Sequence, residues 1–268
     1  MSCYKHWENI SAIADALNEF DCADLQKESL EVIIALLDAI DAIAHDSTIE
    51  FDEARHILYD EKMHEALKII RKFYVAAGAR LETQNARDIL AAEDPWAKIE
   101  SFHHCDRHVI LVRNEAQLVP FSAGDWMVLI GGGSVPLTSI LLNKFSDVRG
   151  ICIEKESEIA KLCALVLNKL DLSSEIEVVC SNETALSHLL YDVVMVAAVA
   201  EPKKRIFKNL RRFVPPETKI LYRTYSGMRA ILYAPVIEED LVGFQELGRV
   251  LPTGKVNNTS VLISKVRT

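Results

Sequence analysis

Glycine and proline are scarce for a chain of 268 residues, numbering 10 and 8, and no segment repeats with a fixed period or has low complexity. That excludes collagen-like chains, and a hydrophobic share of 50% excludes intrinsic disorder. Paired cysteine spacings are also missing. Cys3, Cys22, Cys105, Cys152, Cys163 and Cys180 are scattered, with no C-x-x-C, so neither a disulfide framework nor a zinc ribbon is expected. They read as reduced thiols of a cytoplasmic protein. Long apolar runs are absent too: the longest, Val193 to Ala200, is far below the roughly 20 residues that cross a bilayer. MSCYKHWEN lacks the apolar core of a signal peptide, so no membrane partner is expected. Positive charge is in the minority, with 30 Lys plus Arg against 39 Asp plus Glu and a formal net charge of -9. Such a surface repels a phosphate backbone, and no nucleic-acid partner is expected. The basic run Lys203, Lys204, Arg205, Lys208, Arg211 and Arg212 reads as the solvated face of one helix.

The length suggests roughly two domains. Over the first 120 residues the apolar positions recur at helical spacing. Ile33, Leu36, Leu37, Ile40 and Ile43 form one stripe, and Leu67, Ile70, Phe73, Ala77 and Leu81 form another. Asp46, Ser47 and Thr48 are expected to cap a helix through His56, Asp60 to precede the next, and Asp94 with Pro95 to open a third. Lys62 to Ala92 fits a single helix about 45 Å long, with Gly78 as its weak point. From Gly124 onward, short Val- and Ile-rich runs alternate with amphipathic stretches: Trp126 to Ile130, Arg149 to Glu154, Ile176 to Cys180, Asp192 to Ala197 and Lys219 to Arg223. This is the pattern of a parallel sheet with helices on both faces, closed by strands near Gly243 to Val250 and Ser260 to Lys265. The expected fold class is α/β: an all-α helical bundle over residues 1–120, then a Rossmann-like, mostly parallel sheet over residues 121–268.

The first strand runs into Gly131, Gly132, Gly133, Ser134, Val135 and Pro136, and Leu137, Thr138, Ser139 and Ile140 open a helix. Glycines at such a turn let the backbone approach a ligand. The next strand ends in Glu154, placed to accept hydrogen bonds from two ribose hydroxyls. The glycines do not follow G-x-G-x-x-G, and Pro136 removes one amide that a pyrophosphate would use. An adenosyl ligand without phosphates, S-adenosylmethionine, fits better. Ser181, Asn182 and Glu183 follow the third strand, where such folds meet adenine, and Ala197 ends the fourth. Gly131, Gly132, Gly133, Pro136, Thr138, Glu154, Asn182, Glu183 and Ala197 are therefore the expected cosubstrate contacts. The competing reading is a tight turn that only packs a helix on a sheet.

The segments GGGSVPLTSILL, YDVVMVAAVAEPKKR, YRTYSGMRAILYAPV and LPTGKVNNTSVLI resemble the nicotianamine synthase family, as do AHDSTIEFDEARHIL and ALKIIRKFYVAAGARLE nearer the N-terminus. Among its members the chain is most similar to the short archaeal proteins that make thermonicotianamine. The resemblance implies a helical bundle with an S-adenosylmethionine-binding Rossmann-like domain. It also implies transfer of the 3-amino-3-carboxypropyl group to an amine, with release of methylthioadenosine and formation of a metal chelator. The acceptor is then a small molecule such as glutamate, another amino acid or the growing chain. S-adenosylmethionine is the cosubstrate and no metal is required. The subunit count stays open, with a homodimer among the readings.

By the same resemblance Glu82 is the catalytic base. An acceptor ammonium is not a nucleophile until it loses a proton, and desolvation would raise a carboxylate from its ordinary value of about 4.3 toward usefulness. Gly78, one turn back, leaves room beside it, and Tyr74 lies near the same face. The alternative is an exposed Glu82 between Arg80 and Arg87. His108 stands where the family carries an assisting tyrosine; imidazole can donate or accept a proton near neutral pH. A metal cluster of His103, His104, Cys105 and His108 is the weaker reading of that stretch. Arg223, Tyr225, Arg229 and Asn258, after strands or in loops, are the expected substrate contacts together with Tyr74. Ser134 replaces a proline common in the family's turn, which predicts looser geometry with the ligand kept. The competing functions are a small-molecule methyltransferase and a non-catalytic nucleotide-sensing module.

Overall fold

The computed structural model describes residues 2–18 and 24–266, with side chains over 6–18 and 25–266. Cys22 and the side chain of Cys3, read above as reduced thiols, lie outside the described residues. Cys105, Cys152, Cys163 and Cys180 are free thiols, all but Cys180 buried.

The chain packs as two compact units. The first comprises Met1–Leu81, Tyr225–Pro235 and Thr253–Asn257; the second comprises Glu82–Thr224, Val236–Pro252 and Asn258–Thr268. The first holds helices α1 (Ser2–Asn18), α2 (Leu30–Ala44), α3 (Phe51–Tyr59) and the opening part of α4 (His64–Ala91). Ser29 caps α2 by accepting from the Val32 amide, and α2 buries Ile33, Leu37 and Ile40. Leu67, Ile70, Phe73, Ala77 and Leu81 form the buried stripe of α4. Each fully buried side chain of this kind contributes on the order of 1.5–3 kcal/mol. The helix runs unbroken through Gly78. One helix start differs from expectation: Asp46 accepts from the amide and hydroxyl of Thr48 in a local turn, and α3 begins later, after Glu50. The Asx turn satisfies Asp46 before a helix can use it.

The second unit is a seven-stranded sheet in the order β3-β2-β1-β4-β5-β7-β6. Its strands are β1 (Trp126–Ile130), β2 (Arg149–Glu154), β3 (Ile176–Cys180), β4 (Val193–Val196), β5 (Lys219–Thr224), β6 (Phe244–Val250) and β7 (Thr259–Lys265). The first five are parallel; β7 runs antiparallel to both β5 and β6. Val128 of β1 pairs with Ile151 on one side and Val194 on the other, and β1, β2 and β4 are buried almost throughout. That explains their unbroken apolar runs. Helices α7 (Leu137–Ser146), α8 (Ser157–Lys169) and α9 (Lys203–Phe213) join the strands.

The bundle expected over residues 1–120 does not stay whole. The end of α4, α5 (Pro95–Glu100) and α6 (Cys105–Leu118) belong to the unit that contains the sheet. Ala86, Ile89, Ile99, Cys105, Val112 and Val119 share one apolar core with Val128, Ile140 and Ile153. Periodicity reports that a helix buries a face; it does not report against what. α5 does start as expected, with Asp94 accepting from the Ala97 amide and Pro95 in the first turn.

Candidate active site

Strand β1 lies between β2 and β4, and the chain leaves it in opposite directions toward each. The carboxyl ends of these strands mark the switch point where open α/β sheets bind ligands. Gly131, Glu154 and Ala197 stand there. Every glycine of the turn faces a protein atom. A Cβ at Gly131 (φ +86°) would lie 3.0 Å from that of Ala200, one at Gly132 would lie 2.9 Å from that of Cys152, and one at Gly133 (φ +68°) would lie 2.2 Å from Glu82 Oε1. Close packing within the protein thus already requires these glycines, before any ligand is considered. Pro136 sits at the N-cap of α7 and its carbonyl accepts from Ile140.

Two carboxylates converge on this turn. Glu154 accepts from the Gly133 amide at 3.1 Å and from the Glu156 amide at 3.0 Å. Glu82 Oε1 accepts from the Ser134 amide at 2.6 Å, the Val135 amide at 3.1 Å and Ser134 Oγ at 3.1 Å. Glu82 is half-buried, not an exposed glutamate between two arginines. Its pKa is raised, chiefly by burial; the three hydrogen bonds oppose the shift and the charge of Glu154 adds to it. The turn at Ser134 is tied to α4, where a looser geometry was expected.

His108 lies on α6, whose inward face carries Leu111, Val112 and Glu115. Its Nδ1–H donates to the His104 carbonyl at 3.0 Å, which leaves the Nε2 lone pair as the acceptor. Burial lowers its pKa to about 4, with Arg223 and Arg107 reinforcing and the His104 carbonyl opposing. The ring is neutral at pH 7 and does not titrate near neutrality, contrary to expectation. Glu115, 0% exposed, accepts from Arg223 Nε and Nη2 at 2.7 Å each and from Ser260 Oγ at 2.8 Å. Arg223 Nη2 also donates to Thr138 Oγ1 at 2.9 Å. Arg223 and Thr138, expected to touch substrate and cosubstrate, are bonded to each other, and Arg223 also to a buried carboxylate, because the guanidinium requires a partner once it is desolvated.

Asn182 and Glu183 are likewise committed elsewhere. Asn182 accepts from the amide and hydroxyl of Thr184, and buried Glu183 accepts from Arg205 and from Asn209 of α9. Burial raises the pKa of Glu183, but those donors outweigh it and leave the carboxyl below its ordinary range. The basic run is not wholly a solvated face: Lys203 is buried and donates to the carbonyls of Ala197, Ala198 and Ala200 at 3.0, 2.7 and 2.5 Å. Burial lowers its pKa to about 8. This lysine ties the β4 loop that walls Gly131.

Tyr74, Tyr225 and Arg229 belong to the first unit. Tyr74 accepts from Asn257 Nδ2 at 2.7 Å; Asn257 also donates to Asp41 at 3.3 Å and pairs with His45 Nε2 at 2.5 Å. Tyr225 is buried with its ring centroid 5.8 Å from that of Tyr233. Arg229 donates to the carbonyls of Val256 and Gly254, so it braces that loop and is not a loose carboxylate anchor. Among the described residues no three His, Cys, Asp or Glu side chains are grouped to hold a metal ion, and no helix is long and apolar enough to cross a membrane. In the histidine-rich stretch, His104 is the N-cap of α6 and Cys105 its first residue.

The profile described as "Nicotianamine synthase protein" matches residues 8–268. The chain belongs to the nicotianamine synthase family. The crystal structure of a glutamate-to-glutamine mutant of MtNAS in complex with S-adenosylmethionine superposes with a TM-score of 0.91 at 46% identity, covering 97% of this chain and 98% of that one. MtNAS in complex with MTA and tNA gives a TM-score of 0.93 at 46% identity and the same coverage. Nicotianamine synthase 2 of Arabidopsis thaliana is 26% identical over 271 residues, 96% of this chain and 83% of its own.

In this member of the family, the surroundings of Ser134, Glu115, Asn257 and Asn85 are not apparent from sequence alone. Ser134 and Glu115 bond to expected residues through the fold, not through local spacing. Asn257, not the expected Asn258, bonds to Tyr74. Asn85, three residues after Glu82 and on the same helical face, is 7% exposed, and its Nδ2 has no partner among the described residues. An amide one helical turn from both Leu81 and Ile89 was the available signal. Asn258 Nδ2, just before β7, is also buried without a partner among the described residues.

Proposed function

We propose that this chain transfers 3-amino-3-carboxypropyl groups from S-adenosylmethionine to the amine of a small acceptor, glutamate or another amino acid, releasing methylthioadenosine and building a metal chelator. The observation that carries this reading is the convergence of Glu82 and Glu154 on one glycine turn, in a chain of the nicotianamine synthase family. The residues suit the cosubstrate: Glu154, at the end of β2, offers acceptor lone pairs to a ribose, and a turn without a pyrophosphate signature suits an adenosyl group. When bound, that cosubstrate supplies a sulfonium that makes the neighbouring chain carbon electrophilic.

The protein's own part is to bind, orient and move one proton. Glu82 Oε1 is held by three donors, so Oε2 is the oxygen presented to the acceptor. A raised pKa improves the match between this carboxylate and an ammonium. The ammonium gives its proton to Oε2; the nitrogen lone pair forms the new N–C bond as the C–S bond breaks, and the electron pair stays on sulfur. Neutral His108 accepts an N–H of the acceptor at Nε2, which orients the lone pair. The amides of Asn85 and Asn258, whose Nδ2 atoms have no partner among the described residues, are donors suited to the carboxylate of an amino acid. The Glu115–Arg223–Thr138 cluster keeps α6 and α7 in register around them.

A methyltransferase would use the same turn, and product analysis separates the two. Incubation with S-adenosylmethionine and a panel of amino acids is expected to give methylthioadenosine, with the mass of the acceptor increased by the aminocarboxypropyl group. S-adenosylhomocysteine as the nucleoside product would reject the proposal.

A further inference from the structure

Three consecutive amides of the turn, those of Gly133, Ser134 and Val135, are divided between two protein carboxylates. The first goes to Glu154 and the next two to Glu82. Successive backbone N–H groups at a strand-to-helix turn form a concavity that commonly receives a ligand's anion. Here the chain fills it from within. Ser134 adds its hydroxyl to the same Glu82 oxygen, and any side chain at Gly133 would collide with that oxygen.

We infer that the turn from Gly133 to Val135 is the seat of the base, with Gly133 and Ser134 as positioning residues that act on the reaction through Glu82 and not by touching the cosubstrate. The inference rests on reading Glu82 as the base. Three donors on Oε1 fix the carboxylate plane, so Oε2 points one way only, and they stabilise its charged form. The ionisable groups that face it are Glu154 from β2, whose charge opposes ionisation of Glu82, and the buried thiol of Cys163 from α8. Removing the Ser134 hydroxyl therefore disfavours the carboxylate and moves loss of activity to higher pH. Adding a methyl at Gly133 pushes the carboxylate off its seat and strains the turn at φ +68°; Glu154 keeps its second donor, the Glu156 amide, and with it its place at the ribose.

The test uses the full-length enzyme and four variants: Glu82→Gln, Ser134→Ala, Gly133→Ala and Glu82→Gln combined with Gly133→Ala. Methylthioadenosine release is followed against pH and S-adenosylmethionine binding is measured by calorimetry. Ser134→Ala should shift the acid limb of kcat/KM upward by about one pH unit, the worth of one hydrogen bond to a charged form. Gly133→Ala should lower kcat about 100-fold with the Kd for S-adenosylmethionine within about threefold, and should cost nothing further in the Glu82→Gln background. An unmoved or downward-shifted limb in Ser134→Ala overturns the inference, as does a tenfold weaker Kd in Gly133→Ala or additive losses in the double variant. Should Gly133→Ala not fold, the Ser134→Ala profile decides alone. A Glu82→Gln enzyme with wild-type rate would instead remove the reading beneath, which keeps the two failures distinct.

Discussion

His108 shows how far an environment can move a side chain from its sequence-level meaning. An exposed imidazole titrates near 6.5. This one is part-buried beside Arg223 and Arg107, with its pKa near 4. An NMR titration of its ring should give a midpoint of about 4; a midpoint near 6.5 would contradict the site geometry. The sign for stability follows: between about 4 and 6.5 the unfolded chain binds more protons at this residue than the folded one, so its contribution is lost as pH falls through that window. The site was partly legible at this scale. Glu82 and Glu154 were singled out, and both reach the glycine turn. Their partners were not legible, because Ser134 lies 52 residues from Glu82 and only the fold brings them together. Glu183 and Arg223 were read as ligand contacts because a buried charge and a ligand-binding charge look alike in sequence; the structure gives each a protein partner.

At the scale of elements, the strands were readable almost residue for residue, since parallel strands buried on both faces leave unbroken apolar runs. The helices were readable as helices, but the partners of α5 and α6 were not, because an apolar stripe names no neighbour. The Glu115–Arg223 pair now explains how α6 is fastened to β5, α7 and β7 through Arg223, Thr138 and Ser260. Removing one member strands a buried charge, so Glu115→Leu should destabilise the protein by about 3–5 kcal/mol in urea unfolding. Replacing both, Glu115→Leu with Arg223→Met, should recover most of that loss. If Glu115→Leu changed stability by less than about 1 kcal/mol, the pair would not be the fastening described.

For the whole molecule, the chain does not divide at a single point. Tyr225–Pro235 and Thr253–Asn257 return to the first unit from within the second half of the sequence, and α4 supplies residues to both units. A sequence reading that looks for one linker cannot find such a division, since no change of composition marks it. The family match spans nearly the whole chain, and MtNAS superposes over 97% of it, so both units lie within the family's extent. The central claim is that one carboxylate seated on the glycine turn takes the proton that frees the acceptor amine. The most direct measurement is methylthioadenosine release by Glu82→Gln beside its calorimetric affinity for S-adenosylmethionine. The account predicts a rate lower by about 100-fold or more with affinity nearly unchanged; a rate within a few-fold of wild type would contradict it.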